Sequence, residues 1–197
     1  MFDFSSFLSN KAFITEDHHV YTYADLLGLS ERFSEYLVPR SLIFIGCENS
    51  LESIVAYVSC LRSGVVPLLL SRDVPDETLY HLEAIYHPRY CWFPSRRDLL
   101  VKGKEKYSLG GYSLIQYEGD SLVLPEGLAL LLTTSGSTGS PKLVRLSHDN
   151  LKSNACSIIE YLKITSSEKA ITSLPMYYSY GLSVLNSHLL AGATLLL

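Results

Sequence analysis

The sequence has few charged residues, and their positive and negative charges nearly balance. Charged residues make up 18% of the chain, and 16 lysines and arginines stand against 20 aspartates and glutamates, for a net charge of −4. Such a chain has no global positive field to attract nucleic acid or an anionic membrane surface. We therefore expect no nucleic-acid partner.

One short stretch nevertheless concentrates basic residues. Its members are Arg96, Arg97, Lys102, Lys104 and Lys106, with Asp98 and Glu105 between them. The stretch lacks the regularly interleaved aromatic residues of a nucleic-acid-binding segment. We interpret it as a solvated loop or helix face.

The sequence also lacks a long apolar run and a basic leader. No run approaches the ~18 residues that a bilayer span requires. The chain begins Met-Phe-Asp-Phe, with an acid where a signal peptide carries positive charge. We expect no membrane span and a cytoplasmic protein.

Cysteine is scarce and dispersed. The four cysteines are Cys47, Cys60, Cys91 and Cys156. They form no C-x-x-C pair, and no histidine stands beside them at zinc-ligand spacing. We predict buried, reduced thiols and no metal ligands in this chain.

Hydrophobic residues make up 47% of the sequence, and their spacing along the chain is strongly patterned. Short apolar runs at 41–45, 65–70 and 90–93 predict buried strands, and apolar stripes at helical spacing predict helices before and between them. Two successive strand–helix–strand units imply a parallel sheet covered by helices. The predicted fold is α/β, with a layered, mostly parallel sheet and flanking helices.

The second half continues this pattern. We predict strands at 112–117, 128–132, 143–146, 170–173 and 193–197, a helix capped by Ser147 that runs to about residue 162, and a helix over 181–190.

The chain ends on the apolar Leu195, Leu196 and Leu197. Because natural termini are usually polar, we expect the sequence to be a piece of a longer protein.

A loop rich in glycine and hydroxyl groups lies between two of the predicted strands, from Thr133 to Lys142. Gly136 and Gly139 allow backbone N–H groups to approach an anion closely. Hydroxyls that can donate to phosphate oxygens or bind Mg²⁺ come from Thr134, Ser135, Ser137 and Thr138. With the positive charge of Lys142, the loop suits a nucleotide triphosphate.

Known nucleotide motifs do not settle this interpretation. A Walker A loop would need glycine at 141 and serine or threonine at 143, where Pro141 and Leu143 stand, and there is no G-x-G-x-x-G. A flexible serine- and glycine-rich linker has a similar composition. Composition and context alone leave both interpretations open.

The residues themselves resemble a known family. The loop T-T-S-G-S-T-G-S-P-K at 133–142, followed by S-H-D-N-L at 147–151, closely resembles the phosphate-binding signature of the AMP-forming acyl/aryl-CoA synthetase, peptide-synthetase adenylation and luciferase superfamily. Three further segments are similar to family elements: Y-T-Y-A-D-L at 21–26, L-R-S-G-V-V-P-L at 61–68 and L-P-M-Y-Y-S-Y-G-L at 174–182.

The resemblance implies an ATP-dependent ligase. In this family ATP and a carboxylic acid give an acyl-adenylate and pyrophosphate, usually with Mg²⁺, and the acyl group then passes to the thiol of CoA or of phosphopantetheine on an acyl carrier protein. The phosphate-binding residues that it implies are Thr134, Ser135, Gly136, Ser137, Thr138, Gly139 and Lys142. No aspartate occurs at 177–183 to pair with an α-amine, so we expect a fatty or other non-amino acid.

Two residues keep alternative interpretations. Tyr178 stands where the family commonly has histidine, so we predict a substrate-adjacent phenol that cannot act as a cation; the alternative is ordinary packing. His148 follows the Ser147 cap, and packing or capping is favoured over catalysis.

The resemblance also implies that much of the enzyme is absent. We interpret 1–197 as a truncated N-terminal AMP-binding domain, with the C-terminal half of the large domain and the small mobile domain beyond it. The family's catalytic lysine would then lie outside the chain, so we assign no catalytic residue and expect the chain alone to be inactive. The alternative is a non-catalytic binding or scaffold module that retains the fold.

Overall fold

The computed structural model describes residues 1–95, 103–119, 122–133 and 142–197. In chain order the strands are β1 (Lys11–Ile14), β2 (Val20–Thr22), β3 (Leu42–Cys47), β4 (Val66–Ser71), β5 (Tyr90–Pro94), β6 (Lys104–Leu109), β7 (Tyr112–Gln116), β8 (Leu128–Thr133), β9 (Leu143–Ser147), β10 (Lys169–Ile171) and β11 (Thr194–Leu196). The helices are α1 (Tyr23–Ser34), α2 (Leu51–Ser63), α3 (Asp76–Tyr86), α4 (His148–Leu162) and α5 (Ser179–Ala191).

Seven strands form the larger sheet, in the order β6-β7-β5-β3-β4-β8-β9. The four central strands, β5, β3, β4 and β8, run parallel to one another. Antiparallel strands flank them, β7 and β6 on one side and β9 on the other. The predicted α/β architecture is confirmed, and the flanking strands β6, β7 and β9 account for its antiparallel part.

The sequence shows why the central strands lie in the middle of the sheet. Every residue of β3 is buried, as expected for a strand covered on both faces. The next helix, α2, begins at a Ser50 cap and ends at Gly64, whose φ of 70° is a left-handed conformation that glycine adopts without strain. These two signals fix the first crossover connection between β3 and β4.

A second sheet, of four strands, was not predicted as such. Its order is β10-β11-β1-β2, and β1 pairs in parallel with β11, with Phe13 opposite Leu195. The strands β1 and β2 contain only four and three residues. Patterns this short give no periodicity signal, and the strand that pairs with β1 in parallel lies near the other end of the chain.

The basic stretch needs a correction. Lys104 and Lys106 belong to β6, an edge strand, and not to a loop or helix face. The strand is held by Tyr107, whose ring centroid lies 6.2 Å from that of the buried Trp92 in a stacked arrangement. Lysines on an edge strand also discourage pairing with another chain. Arg96, Arg97 and Lys102 lie outside the described residues.

The cysteines follow the prediction with one exception. All four are free thiols, and Cys47, Cys60 and Cys91 are buried. Cys156 is exposed on α4, so the expectation of a buried thiol is wrong at this position. Among the described helices, none has the length and apolar character needed to cross a membrane.

Candidate functional site

The glycine-rich segment emerges from the carboxyl edge of the parallel strands. Thr133, the last residue of β8, lies opposite Leu143, the first residue of β9, so the two ends of the segment are held side by side. Ligands of open α/β sheets commonly bind at this edge. The segment 134–141 itself lies outside the described residues, and with it the predicted phosphate-binding residues Thr134, Ser135, Gly136, Ser137, Thr138 and Gly139.

Lys142 is the one predicted phosphate-binding residue that the structure describes. It directly precedes β9 and is exposed. Neither salt bridge found among the described residues includes it. Its ammonium group is therefore available to an anion at the carboxyl edge of the sheet.

The helix after this hairpin begins with a complete capping box. The Ser147 hydroxyl accepts from the backbone N–H of Asn150 at 3.1 Å, and the Asn150 carboxamide oxygen accepts from the N–H of Ser147 at 3.0 Å. Ser147 thus performs the capping that was considered for His148. Nδ1 of His148 is buried without a hydrogen-bond partner in the described part of the chain. Burial, followed by the charge of the Met1 amino group, lowers the pKa of His148.

Tyr178 occupies the N-cap position of α5. Its backbone N–H donates to the carbonyl of Pro175 at 3.1 Å, which closes a turn just before the helix. The side chain is 50% exposed and lies against Tyr177, with 4.6 Å between ring centroids. The phenol is therefore accessible to a substrate and is not a core residue; its predicted role beside the substrate remains a prediction.

The segment before Tyr178 is held by Asn49, which follows β3. The Asn49 Nδ2 donates to the carbonyl oxygens of Thr172 and of Leu174, the latter at 2.9 Å. Its Oδ1 accepts from the backbone N–H of Met176 at 3.0 Å. One carboxamide thus satisfies three backbone groups of a segment far away in sequence.

Asn49 was missed as a site residue because an asparagine directly before a helix resembles an ordinary helix cap. The structure assigns the cap to Ser50, whose hydroxyl accepts from the N–H of Ser53. A signal was available: an asparagine at the carboxyl end of a fully buried strand, next to a serine that can cap the helix alone, is free for another task.

A close contact holds the same segment from the other side. A Cβ atom on Gly181 would lie 2.3 Å from the carbonyl oxygen of Pro175 and 2.5 Å from that of Leu174. Only glycine permits α5 to approach the backbone this closely. The segment 174–175 is therefore fixed between Asn49 and the first turn of α5.

Residues next to the loop and next to Tyr178 line one cavity. It has a volume of about 210 Å³ and lies between β8, β9, α4 and α5. Leu132, which immediately precedes the end of β8, lines it together with Ser179, which immediately follows Tyr178. The structure thus places the residue before the end of β8 and the residue after Tyr178 on the wall of one cavity.

The described residues contain no cluster of three histidine, cysteine, aspartate or glutamate side chains that could hold a metal ion. The loop hydroxyls that could bind Mg²⁺ lie outside the described residues, so Mg²⁺ as a cofactor stays a prediction.

Comparison with known proteins identifies the family. The model of the AMP-binding enzyme family matches residues 6–197. The chain belongs to this family of AMP-binding enzymes. Among curated relatives, the 2-succinylbenzoate–CoA ligase of Bacillus subtilis is 28% identical over 196 residues, which cover 94% of this chain and 40% of the relative. The nonribosomal peptide synthetase agiA of Aspergillus flavus is 29% identical over 75% of this chain and 2% of its own length.

Solved structures of AMP-binding enzymes share the fold. Apo MatB from Rhodopseudomonas palustris superposes with a TM-score of 0.79 and 25% identity, over 96% of this chain and 42% of its own. The Bacillus subtilis o-succinylbenzoate coenzyme A synthetase MenE, in complex with AMP, gives a TM-score of 0.73 and 24% identity, over 95% of this chain and 51% of its own. The chain spans about two-fifths to one-half of the CoA ligase and of these two structures.

Proposed function

We propose that this chain, a member of the AMP-binding enzyme family, belongs to an ATP-dependent acid–thiol ligase. It supplies the residues that bind the phosphates of ATP and part of the site that binds the carboxylate of the acid. The observation that carries the proposal is the cavity shared by Leu132 and Ser179, because it sets the residue that precedes the glycine-rich loop beside the residue that follows Tyr178. A carboxylate and a triphosphate must meet in such a ligase. The family of the chain and the CoA ligases among its relatives support the same reaction.

The reaction proceeds in two steps. A carboxylate oxygen of the acid forms a bond to the α-phosphorus of ATP, while the bond from that phosphorus to the bridging oxygen of the β-phosphate breaks and pyrophosphate leaves. A thiol sulfur then bonds to the acyl carbon of the adenylate, its proton passes to solvent, and AMP leaves. Charge that develops on pyrophosphate is stabilised by the donors of the loop, in which we include Lys142.

The binding roles remain as the sequence predicted them. Phosphate oxygens are bound by Thr134, Ser135, Gly136, Ser137, Thr138, Gly139 and Lys142. Mg²⁺ would neutralise the phosphates when bound, and the hydroxyls of the loop would hold it. Tyr178 lies beside the carboxylate of the acid.

The acceptor is CoA or a carrier-protein phosphopantetheine. The relatives support both acceptors, because some of them are CoA ligases and others are nonribosomal peptide synthetases. We further propose that residues 1–197 are the N-terminal part of the enzyme, since the relatives extend well beyond the matched region. The chain alone would then have no turnover.

The test is carboxylate-dependent ATP–pyrophosphate exchange by the full-length protein, with a panel of short-chain, aryl and fatty acids. At least one acid should support exchange. The Lys142→Ala variant should lose roughly 100-fold in rate, the size expected when one donor to a developing anion is removed. Lys152→Ala, which removes an exposed lysine of α4, is the matched control and should retain the wild-type rate.

Two results would contradict the proposal. The first is a full-length protein that exchanges with no acid of the panel, and the second is a Lys142→Ala variant that binds and turns over ATP as the wild type does. A protein that binds nucleotide without exchange would support the non-catalytic module.

A further inference from the structure

Glu48, which lies between β3 and Asn49, is held through both its side chain and its backbone. One carboxylate oxygen forms an ion pair with the guanidinium of Arg72, and the other accepts from the hydroxyl of Tyr112 at 2.9 Å. The backbone N–H of Glu48 donates to the hydroxyl of Ser53 at 3.2 Å. These contacts fix the residue directly before Asn49.

The partners of Glu48 are themselves fixed by the large sheet. Arg72 directly follows β4, and its backbone N–H donates to the carbonyl of Cys47, the last residue of β3, at 3.0 Å. Tyr112 begins β7 and is buried, and its ring stacks on that of Trp92 with 5.6 Å between centroids. Burial, followed by the hydrogen bond to Glu48, raises the pKa of Tyr112, so the hydroxyl keeps its proton and remains a donor. Glu48 is thus tied to β4 and β7 as well as to its own strand.

The exposure of the ion pair argues against a role in stability alone. The side chain of Glu48 is 35% exposed and that of Arg72 is 40% exposed. Ion pairs that are this accessible stabilise a folded protein little, because solvent screens the charges. What the pair does fix is the orientation of the carboxylate, since the donors of a planar guanidinium are directional.

Asn49 connects this arrangement to the segment before Tyr178. Its carboxamide makes three hydrogen bonds to backbone groups within 172–176. A side chain can hold another segment only as precisely as its own backbone is held, which is why the groups behind a binding residue matter for its geometry. The path of the segment therefore depends on Glu48 as well as on Asn49.

We propose that Glu48 is a positioning residue for the acid: its carboxylate, fixed by Arg72 and Tyr112, sets the position of Asn49 and through it the path of the segment that leads into Tyr178. The inference rests on the proposed function for the reaction that it affects. Glu48 itself has no catalytic role in it.

The effect of Glu48 should fall on the acid and not on ATP. The glycine-rich loop leaves the large sheet at Thr133 of β8, which pairs with Leu143 of β9. This attachment of the loop does not pass through Glu48 or Asn49. Small displacements of a binding group weaken the contacts that it makes, so a displaced Tyr178 segment should raise KM for the acid.

The test measures KM for the acid and KM for ATP in ATP–pyrophosphate exchange by the full-length protein. It uses the acid of the short-chain, aryl and fatty panel that supports the fastest exchange. Glu48→Gln keeps the shape of the side chain and removes its charge, and Tyr112→Phe removes the hydroxyl but leaves the ring to stack on Trp92. We expect KM for the acid to rise roughly tenfold in Glu48→Gln, the size of one hydrogen bond. The rise should be smaller in Tyr112→Phe, because the ion pair with Arg72 remains, and KM for ATP should keep its wild-type value in both.

A double variant separates a positioning role from a general loss of stability. If Glu48 acts through Asn49, Glu48→Gln should raise KM for the acid in the wild type and no further in Asn49→Ala. Glu83→Gln is the matched control, because the Glu83 carboxylate also accepts from a tyrosine hydroxyl, that of Tyr117 at 2.8 Å. Tyr117 follows the opposite end of β7 from Tyr112, so this control should keep both wild-type KM values.

Hydrogen exchange followed by mass spectrometry observes the same segment without catalysis. The peptide that contains Met176 should exchange faster in Glu48→Gln and at the wild-type rate in Glu83→Gln. Equal exchange of this peptide in Glu48→Gln and the wild type would overturn the inference. So would faster exchange spread evenly over the whole protein, because that is the sign of general destabilisation.

The outcomes distinguish this inference from the proposed function. If KM for the acid is unchanged in Glu48→Gln, rises together with KM for ATP, or rises further in the double variant with Asn49→Ala, the inference is wrong while the ligase function stands. If no acid supports exchange, the ligase function is wrong, and the hydrogen exchange of the Met176 peptide decides the role of Glu48 separately.

Discussion

The carboxamide oxygen of Asn49 accepts a hydrogen bond from the backbone N–H of Met176 across 127 positions of sequence, at 3.0 Å. The bond joins the carboxyl end of a central parallel strand to the segment that leads into Tyr178. Together with the two carbonyl contacts of Asn49 Nδ2, it fixes the path of a chain segment that has little regular structure of its own. The proposed place of Tyr178 beside the substrate therefore depends on this side chain.

Substitution of Asn49 should loosen the segment 172–178. In Asn49→Ala three backbone groups lose their partner, and in Asn49→Asp a carboxylate oxygen faces two carbonyl oxygens. We expect a loss of about 1–3 kcal/mol in the free energy of unfolding. Hydrogen exchange followed by mass spectrometry should show faster exchange of the Met176 amide. Asn10→Ala, which removes a carboxamide bonded to the carbonyl oxygen of Gly192, should leave that peptide unchanged. Unaltered protection in both Asn49 variants would contradict the assignment.

Gly181→Ala should destabilise the protein, because the added methyl would lie 2.3 Å from the Pro175 carbonyl oxygen. We expect a cost of about 1–3 kcal/mol, typical of overpacking a tight contact. Gly28→Ala is the matched control: Gly28 lies inside α1 with nothing within 4 Å of the added atom, so this variant should gain about 0.5–1 kcal/mol. Urea unfolding of both variants measures the difference, and equal effects would argue against the close approach.

The sequence predicts the crossover units of the fold but not the pairing of its ends. The crossover units were predictable because β3 and β4 are continuous buried runs and Ser50 and Gly64 mark the helix between them. The pairing of β1 with β11 was not, since neither short strand indicates a partner so distant in sequence. Local patterns predict elements, whereas contacts between the ends of a chain are decided by packing.

The candidate site also has a part that the sequence could indicate and a part that it could not. The loop and Tyr178 could be proposed as site residues because glycine, hydroxyl and lysine residues follow a spacing that resembles a known signature. Asn49 could not, because a single asparagine in a sequence does not show which backbone groups its side chain will meet. Its contacts are visible only in the structure, as hydrogen bonds to Thr172, Leu174 and Met176.

His148 should make the stability depend on pH in the weakly acidic range. Burial lowers the pKa of its imidazole in the folded state, so the unfolded state binds more protons below the ordinary value of about 6.5. The contribution of His148 is complete above that value and is lost as the pH falls through it toward the folded pKa. His148→Gln should flatten the free energy of unfolding between about pH 7 and 5. His81→Gln, an exposed control, should not.

The thiols should differ sharply in reactivity. Cys156 is exposed, whereas burial raises the pKa of Cys47 and of Cys60, and Cys91 is also buried. A thiolate is the reactive species, so Ellman's reagent at about pH 8 should modify one of these four thiols in the native protein and all four in urea. Cys156→Ser should remove the native reaction. Rapid modification of a second of these thiols would show that the core strands or α2 open readily.

Tyr178→His should make KM for the acid depend on pH. The side chain is half exposed at the N-cap of α5, so a histidine there should titrate near its ordinary pKa of about 6.5 and gain a positive charge below it. A cation beside the carboxylate of the acid would strengthen its binding, and we expect KM for the acid to fall several-fold between about pH 7.5 and 5.5 in the variant. Wild-type KM should be flatter over this range, and Tyr161→His, at an exposed position on α4, should match the wild type. If Tyr178→His has the wild-type profile, the phenol does not lie beside the acid, because a charge gained within a few ångströms of a carboxylate must change its affinity.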